Sequence, residues 1–189
     1  MNYTITIEQD PDCEDPSSWD LGWTPYSFSR KHIHSNYVSP NQFFILKYHQ
    51  DVVPKNIGIT RKLEVGTAFI LSYYEHGGCS WSLQGEGAQC PWDSVDVAGI
   101  LLWEHSPKDL PKGVVERTKW ARSFLNSYNL WLNGECYWFK VEQEDKELDS
   151  CGGLLGTTWL VEFLKDACPY LFDEENEIEY KGLAKEILT

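Results

Sequence analysis

Thr67-Ala68-Phe69-Ile70-Leu71-Ser72-Tyr73-Tyr74 is followed by Glu75-His76-Gly77-Gly78 and then by Cys79-Ser80-Trp81-Ser82-Leu83. The first run is apolar and rich in aromatic and β-branched residues, and the last alternates apolar with polar. Two such runs around a Gly-Gly turn predict a β-hairpin. Just beyond, Val95 to Trp103 (VDVAGILLW) is apolar enough to be a central strand. Tyr3-Thr4-Ile5-Thr6-Ile7 alternates as a strand does, and Tyr26-Ser27-Phe28-Ser29 is a short strand candidate. Cys136 to Val141 is a further strand. It turns at Glu144-Asp145-Lys146-Glu147 and returns through Leu148-Asp149-Ser150-Cys151 until Gly152-Gly153 stops it.

Helical spacing is clearest from Pro111 to Asn133. Val114, Thr118, Ala121, Leu125, Tyr128 and Leu132 recur at three and four, and Asn133-Gly134 ends the pattern. A second helix is expected from Thr158 to Ala167, with Trp159, Phe163 and Ala167 on one side and Leu160 and Leu164 on the adjacent stripe. Ser39 to Tyr48 reads equally as a helix start at Ser39-Pro40 or a buried strand at Phe43-Phe44-Ile45-Leu46. Residues 51–65 read as loop with extended pieces, and Gln9 to Asp20 as an acidic, Pro-interrupted loop. Hairpins with two helices lack the strand–helix rhythm of a parallel sheet. The expected fold is therefore α+β: a single domain over 1–172, mainly an antiparallel sheet of five or six strands, with one long helix packed on a face and a second C-terminal helix. Residues 173–189 are expected to be an acidic tail with a short helix at Leu183–Leu188.

A chain of 189 residues fits one domain and can bury a core without a staple. The net charge of −13 disfavours direct nucleic-acid binding and anionic membranes. No apolar run approaches the ~18 residues of a membrane span, and Met1–Gln9 lacks the basic start and apolar core of a signal peptide. The expected setting is the cytoplasm. The six cysteines (13, 79, 90, 136, 151, 168) are widely spaced with no CxxC pair, so they are expected to be free thiols. The pattern His76-Gly77-Gly78-Cys79 with Cys90 lacks the second close pair of a structural zinc site. Nine Trp, ten Tyr and eight Phe serve either a ring-rich core or a ring-lined pocket or interface.

Three segments place polar residues where a strand meets a Gly or Pro break: Tyr74-Glu75-His76-Gly77-Gly78, Cys90-Pro91-Trp92-Asp93-Ser94 and Leu148-Asp149-Ser150-Cys151-Gly152-Gly153. They nominate Glu75, His76, Trp92, Asp93, Asp149 and Ser150 as ligand-binding residues, with no metal and no cofactor assigned. One imidazole and three carboxylates can position a water, bind a divalent cation or hydrogen-bond a purine or ribose. Each segment also reads as a turn or cap whose Asp and Ser satisfy their own backbone. His32-Ile33-His34 would put two rings on one side of a strand, which suits either a metal or a surface. No P-loop, nucleophile elbow, HExxH or dinucleotide-binding glycine motif is present.

In these segments the sequence resembles a family of small acidic proteins of bacteriophages and other mobile elements with no firmly assigned function. The shared features are the first strand and acidic stretch Asp10–Asp20, the aromatic strand running into a basic–His segment (Phe28 to His32), the turn Tyr74–Gly78, the intact Cys-Pro-Trp-Asp-Ser at 90–94, the helix end Tyr128 to Tyr137, and Asp-Ser-Cys-x-Gly-x-x-Gly at Asp149–Gly156. It covers roughly residues 3–156. Glu75, Gly77 and Val95 depart from the family pattern of Asp, Ser and Gly. The resemblance implies an accessory protein of the host cytoplasm that counters host defence. It would be a binding protein for a host protein or a small polar ligand such as a nucleotide. Two alternatives are an acidic DNA-mimic decoy and a metal-dependent hydrolase or nuclease using Asp93, Asp149 and His76. Whether a reaction is catalysed, and the oligomeric state, are left open.

Overall fold

The computed structural model describes residues 1–19, 22–32, 36–46, 52–88 and 90–189. His34, of the possible His32/His34 pair, lies outside the described residues, as do Lys47 and Tyr48 at the end of the ambiguous stretch. In chain order the elements are β1 (Asn2–Gln9), β2 (Trp23–Ser27), β3 (Asn36–Tyr37), β4 (Phe44–Leu46), β5 (Val52–Pro54), α1 (Ile57–Glu64), β6 (Ala68–Glu75), β7 (Cys79–Leu83), β8 (Ser94–Trp103), α2 (Val114–Leu132), β9 (Cys136–Gln143), β10 (Lys146–Leu155), α3 (Thr157–Ala167), β11 (Glu177–Gly182) and α4 (Ala184–Leu188). The α+β class holds. The strands are shared between two compact units, one built from Met1–Glu14 with Gly134–Thr189 and the other from Asp15–Asn133.

In the Asp15–Asn133 unit the sheet order is β3-β2-β8-β6-β7. The VDVAGILLW run is the middle strand, antiparallel to both β2 and β6, and every residue from Ala98 to Trp103 is buried. The hairpin forms as its alternation requires, with Leu71 opposite Leu83, Tyr73 opposite Trp81 and Glu75 opposite Cys79. Residues 39–46 hold a 3-10 turn at Pro40–Gln42 and then β4, which is not the buried strand expected: Phe44 is buried, but Ile45 and Leu46 are exposed. Residues 51–65, expected to be loop with extended pieces, hold the extended β5 and also the helix α1, which that reading lacked. Asn56 caps α1 by accepting the Ile59 N–H at 3.1 Å.

Helix α2 buries Ala121, Phe124, Leu125 and Tyr128 against Trp81, Leu83 and Leu101. The expected face is right at 121, 125 and 128 and wrong at Val114, which is exposed in the first turn. The helix is also tied to β7, an edge strand, by two amides. Asn129 accepts the Trp81 N–H at 2.8 Å and donates to the Trp81 carbonyl at 2.9 Å. Asn133 does the same for Cys79, at 2.9 and 2.8 Å. Four residues of helix rise about 6 Å and two residues of strand about 6.7 Å, so the two spacings match. A side chain on Gly78 would meet the Asn133 Oδ1 at 2.9 Å, so the turn must be glycine there.

The other unit has the order β10-β9-β1-β11, with β1 between antiparallel β9 and parallel β11. Tyr3, Ile5 and Ile7 point into a core with Phe139, Val141, Leu160 and Leu164. On α3 the buried stripe is Leu160 and Leu164, while Trp159 is exposed. The return strand does not stop at Gly152-Gly153. It shifts register there and continues to Leu155. Residues 173–189 contain β11 and α4, both part of this unit.

The expectation of six free thiols is corrected: Cys13 and Cys136 form a disulfide, with Cys79, Cys90, Cys151 and Cys168 free. The pairing was invisible in spacing because the two residues are 123 apart and meet only once β1 and β9 pair.

Two outcomes are expected. Asn129→Ala should cost about 1–3 kcal/mol, since it strips both partners from the Trp81 backbone; an unchanged urea midpoint would show that water replaces the amide. Thiol counting on denatured, unreduced protein should return four, and Cys13→Ser should lower stability by about 2–5 kcal/mol. A count of six with an unaltered midpoint would remove the disulfide from the account.

Candidate functional site

Three of the six nominated residues meet at one end of the β6–β7 hairpin. The Glu75 N–H donates to the Asp93 carbonyl at 3.0 Å. His76 Nδ1 lies 3.4 Å from Asp93 Oδ2, and that same oxygen accepts the Cys90 thiol at 3.4 Å. Glu75 Oε2 accepts the Tyr73 hydroxyl at 3.0 Å, and burial together with this carboxylate pushes the Tyr73 phenol up. The Cys-Pro-Trp-Asp-Ser segment closes on itself. Ser94 Oγ accepts the Cys90 N–H and donates to the Ala88 carbonyl, and the Ser94 N–H returns to the Cys90 carbonyl. Trp92 is 92% exposed and packs on nothing, contrary to a turn held by its ring.

Asp149 and Ser150 belong to the other unit and have local partners there. Asp149 Oδ1 accepts the Ser150 N–H at 2.8 Å, its Oδ2 accepts the Cys168 thiol at 3.6 Å, and Ser150 Oγ donates to Glu147 at 2.8 Å. Burial, reinforced by the Asp149 charge, pushes the Cys168 thiol up, so it is a poor nucleophile. Both residues lie within β10, paired with Val141 and Lys140 of β9, and the Cys168 thiol reaches Asp149 from the end of α3. Among the described residues no three His, Cys, Asp or Glu side chains are placed to hold a metal ion.

Two clefts that share Trp103 and His105 lie elsewhere in the Asp15–Asn133 unit, and the more aromatic of them is lined by residues that no sequence motif singled out. Trp23 opens β2 and Trp103 closes β8, and the antiparallel register sets them opposite each other. Their rings meet edge to face at 5.2 Å and 71°. Helix α2 contributes Trp120, Ser123, Phe124 and Ser127, the i, i+3, i+4, i+7 spacing of one face. The loop after β8 adds His105 and Asp109. Together they line a cleft of about 610 Å³. Buried Trp23, Trp103 and Phe124 make its floor; half-exposed Trp120 and the polar residues make its rim. Trp103 is fixed by its Nε1–H, which donates to the Ser106 carbonyl at 3.0 Å. Gly22 (φ +74°) lies flat on the Trp103 ring, where a Cβ would come within 2.5 Å. The one available signal was the aromatic count; nothing in the spacing of positions 23, 103 and 120 marks them as neighbours.

His32 was missed as a single residue. Its ring stacks on Tyr73 at 4.0 Å, meets Trp81 edge to face at 5.2 Å, and places Nδ1 2.7 Å from the fully buried Ser27 Oγ. Burial lowers its pKa, with the Glu75 charge acting in the opposite sense. The folded state thus holds a proton on His32 less well than the unfolded chain does. Its contribution to stability is complete above about pH 6.5 and is lost as the pH falls below that value. A His32→Asn protein should lose less stability than wild type between the imidazole and carboxylate ranges; parallel pH profiles would remove His32 as the cause.

A scan of protein-family models, a search of curated proteins and a search of solved structures each return no match for this chain.

Proposed function

We propose that this chain is a binding protein, an accessory factor of a bacteriophage or another mobile element, which takes a small polar ligand to the disadvantage of host defence. The observation that carries the binding reading is the cleft over Trp23 and Trp103. It has the size range of small-molecule sites, an aromatic floor, and a few polar groups at the rim. The acid–base candidates favour binding over catalysis, because Asp93 and Asp149 are both engaged by neighbours within their own units. The hydrolase reading called on Asp93, Asp149 and His76; His76 and Asp93 meet, and Asp149 belongs to the other unit.

The mobile-element setting rests on the motifs at 90–94 and 149–156 and is tested by the genes that neighbour this one. The proposed compartment is the host cytoplasm, and no described helix is long and apolar enough to cross a membrane. A reducing cytosol would hold Cys13 and Cys136 as thiols until the protein meets an oxidant.

Ligand-observed NMR with a mixed set of nucleosides, sugars, aromatic acids and organic cations tests the binding reading. Trp120→Ala should abolish the saturation transfer that wild type shows, with little change in melting temperature, because Trp120 is 49% exposed. Asp93→Asn should leave that transfer intact. Transfer unaffected by Trp120→Ala, or abolished by Asp93→Asn, would move the site out of the cleft.

A further inference from the structure

The class of ligand can be argued from the charges and ring angles of the same cleft, an inference that rests on the binding reading above. Among the described lining residues Asp109 carries the one fixed charge, and none is Lys or Arg. No described basic side chain pairs with it. Lys108 and Lys112 flank it in sequence but do not line the cleft. The basic residues of α2 are occupied elsewhere. Arg117 donates to the Pro111 and Val65 carbonyls, Lys119 pairs with Glu116 at 2.7 Å, and Arg122 grips Glu86 through both Nε and Nη2. Among the described residues no Lys or Arg is held over the Trp faces; the His105 ring meets Trp103 edge to face at 5.7 Å, and a carboxylate stands at the rim.

The ring geometry narrows the shape. A flat base sandwiched between rings needs parallel walls about two ring thicknesses apart. Trp23 and Trp103 instead cross at 71°, and Trp120 is added from the helix side, which makes a corner. A corner of indoles beside a carboxylate suits a rounded, weakly hydrated cation, held by the ring quadrupoles and by the opposite charge. The cleft of about 610 Å³ is far larger than such a head, and Ser123 and Ser127 supply hydroxyls for a polar remainder. The net charge of −13 raises the local concentration of cations around the whole chain.

We propose that the Trp23–Trp103–Trp120 cleft binds a small organic cation with an N-methylated ammonium head and a polar tail, the head against the indoles and facing Asp109.

The test is calorimetric and NMR titration of the full chain with choline, with tetramethylammonium, and with 3,3-dimethylbutan-1-ol, the uncharged isostere of choline. Choline should bind at least about tenfold more tightly than the isostere, and Asp109→Asn should erase most of that difference while leaving the melting temperature in place. Trp120→Ala should weaken both compounds. Equal binding of choline and its isostere, or an unchanged preference in Asp109→Asn, overturns the cation inference. If neutral aromatic compounds bind and are lost in Trp120→Ala while no ammonium compound binds, the cleft remains a binding site and only the ligand class falls. If nothing in either set binds, both readings fall together.

Discussion

The amides of Asn129 and Asn133 hold the one arrangement on which the rest of the Asp15–Asn133 unit depends. An edge strand offers a row of backbone donors and acceptors to any passing chain. In β7 those groups belong to Cys79 and Trp81, and each finds both of its partners on one asparagine of α2. The bonds do three things at once. They close the edge, fix the rotation of α2 about its axis, and fix its height along β7. With the rotation set, Ala121, Leu125 and Tyr128 face the core, and Trp120, Ser123 and Ser127 line the cleft. A helix turned by even a third of a turn would bury the charged residues at 119 and 122 and dismantle both faces.

The chain path adds a second constraint. One unit is assembled from the two ends of the chain, and the other is contained within the segment between them. The Cys13–Cys136 disulfide joins the outgoing and returning chain just outside that segment, so the bond closes a loop that holds the whole of the Asp15–Asn133 unit. In the unfolded chain such a link removes much of the freedom lost when β1 and β9 must find each other across the intervening residues. Parallel pairing of β11 with β1 has a similarly long range, and it gives the acidic C-terminal stretch a structural role.

Local pattern accounts for the elements that were legible. Periodicity of two marks β1 and β7, dense apolar runs mark β6 and β8, and a three–four spacing with Asn-Gly at its end marks α2. Where reading by eye failed, the signal was weak or contradicted by a neighbour. Helix α1 is only eight residues long, and its apolar stripe is little more than Ile59 and Leu63, partly buried against the Phe44 and Ala68 cluster, which is too short a pattern to stand out. On α3 the spacing offered two apolar stripes, and only the core decided that Leu160 and Leu164 are the buried one while Trp159 is exposed. Two of the three polar segments did mark real strand ends, and Glu75, His76 and Asp93 do come together, through contacts between residues 17 and 18 apart; Asp149 and Ser150 lie within β10.

What this sequence determined by itself is its class, the strands β1, β2 and β6 to β10, and its long helix, because their patterns lie between residues a few positions apart. The cleft and the disulfide were decided only by tertiary structure. Trp23 and Trp103 each look like a core ring in isolation; they become neighbours through the register of β2 on β8, and Trp120 joins them through the rotation of α2. Registers and rotations are set by hydrogen bonds between residues dozens of positions apart, such as Asn129 to Trp81, and no local pattern carries that information.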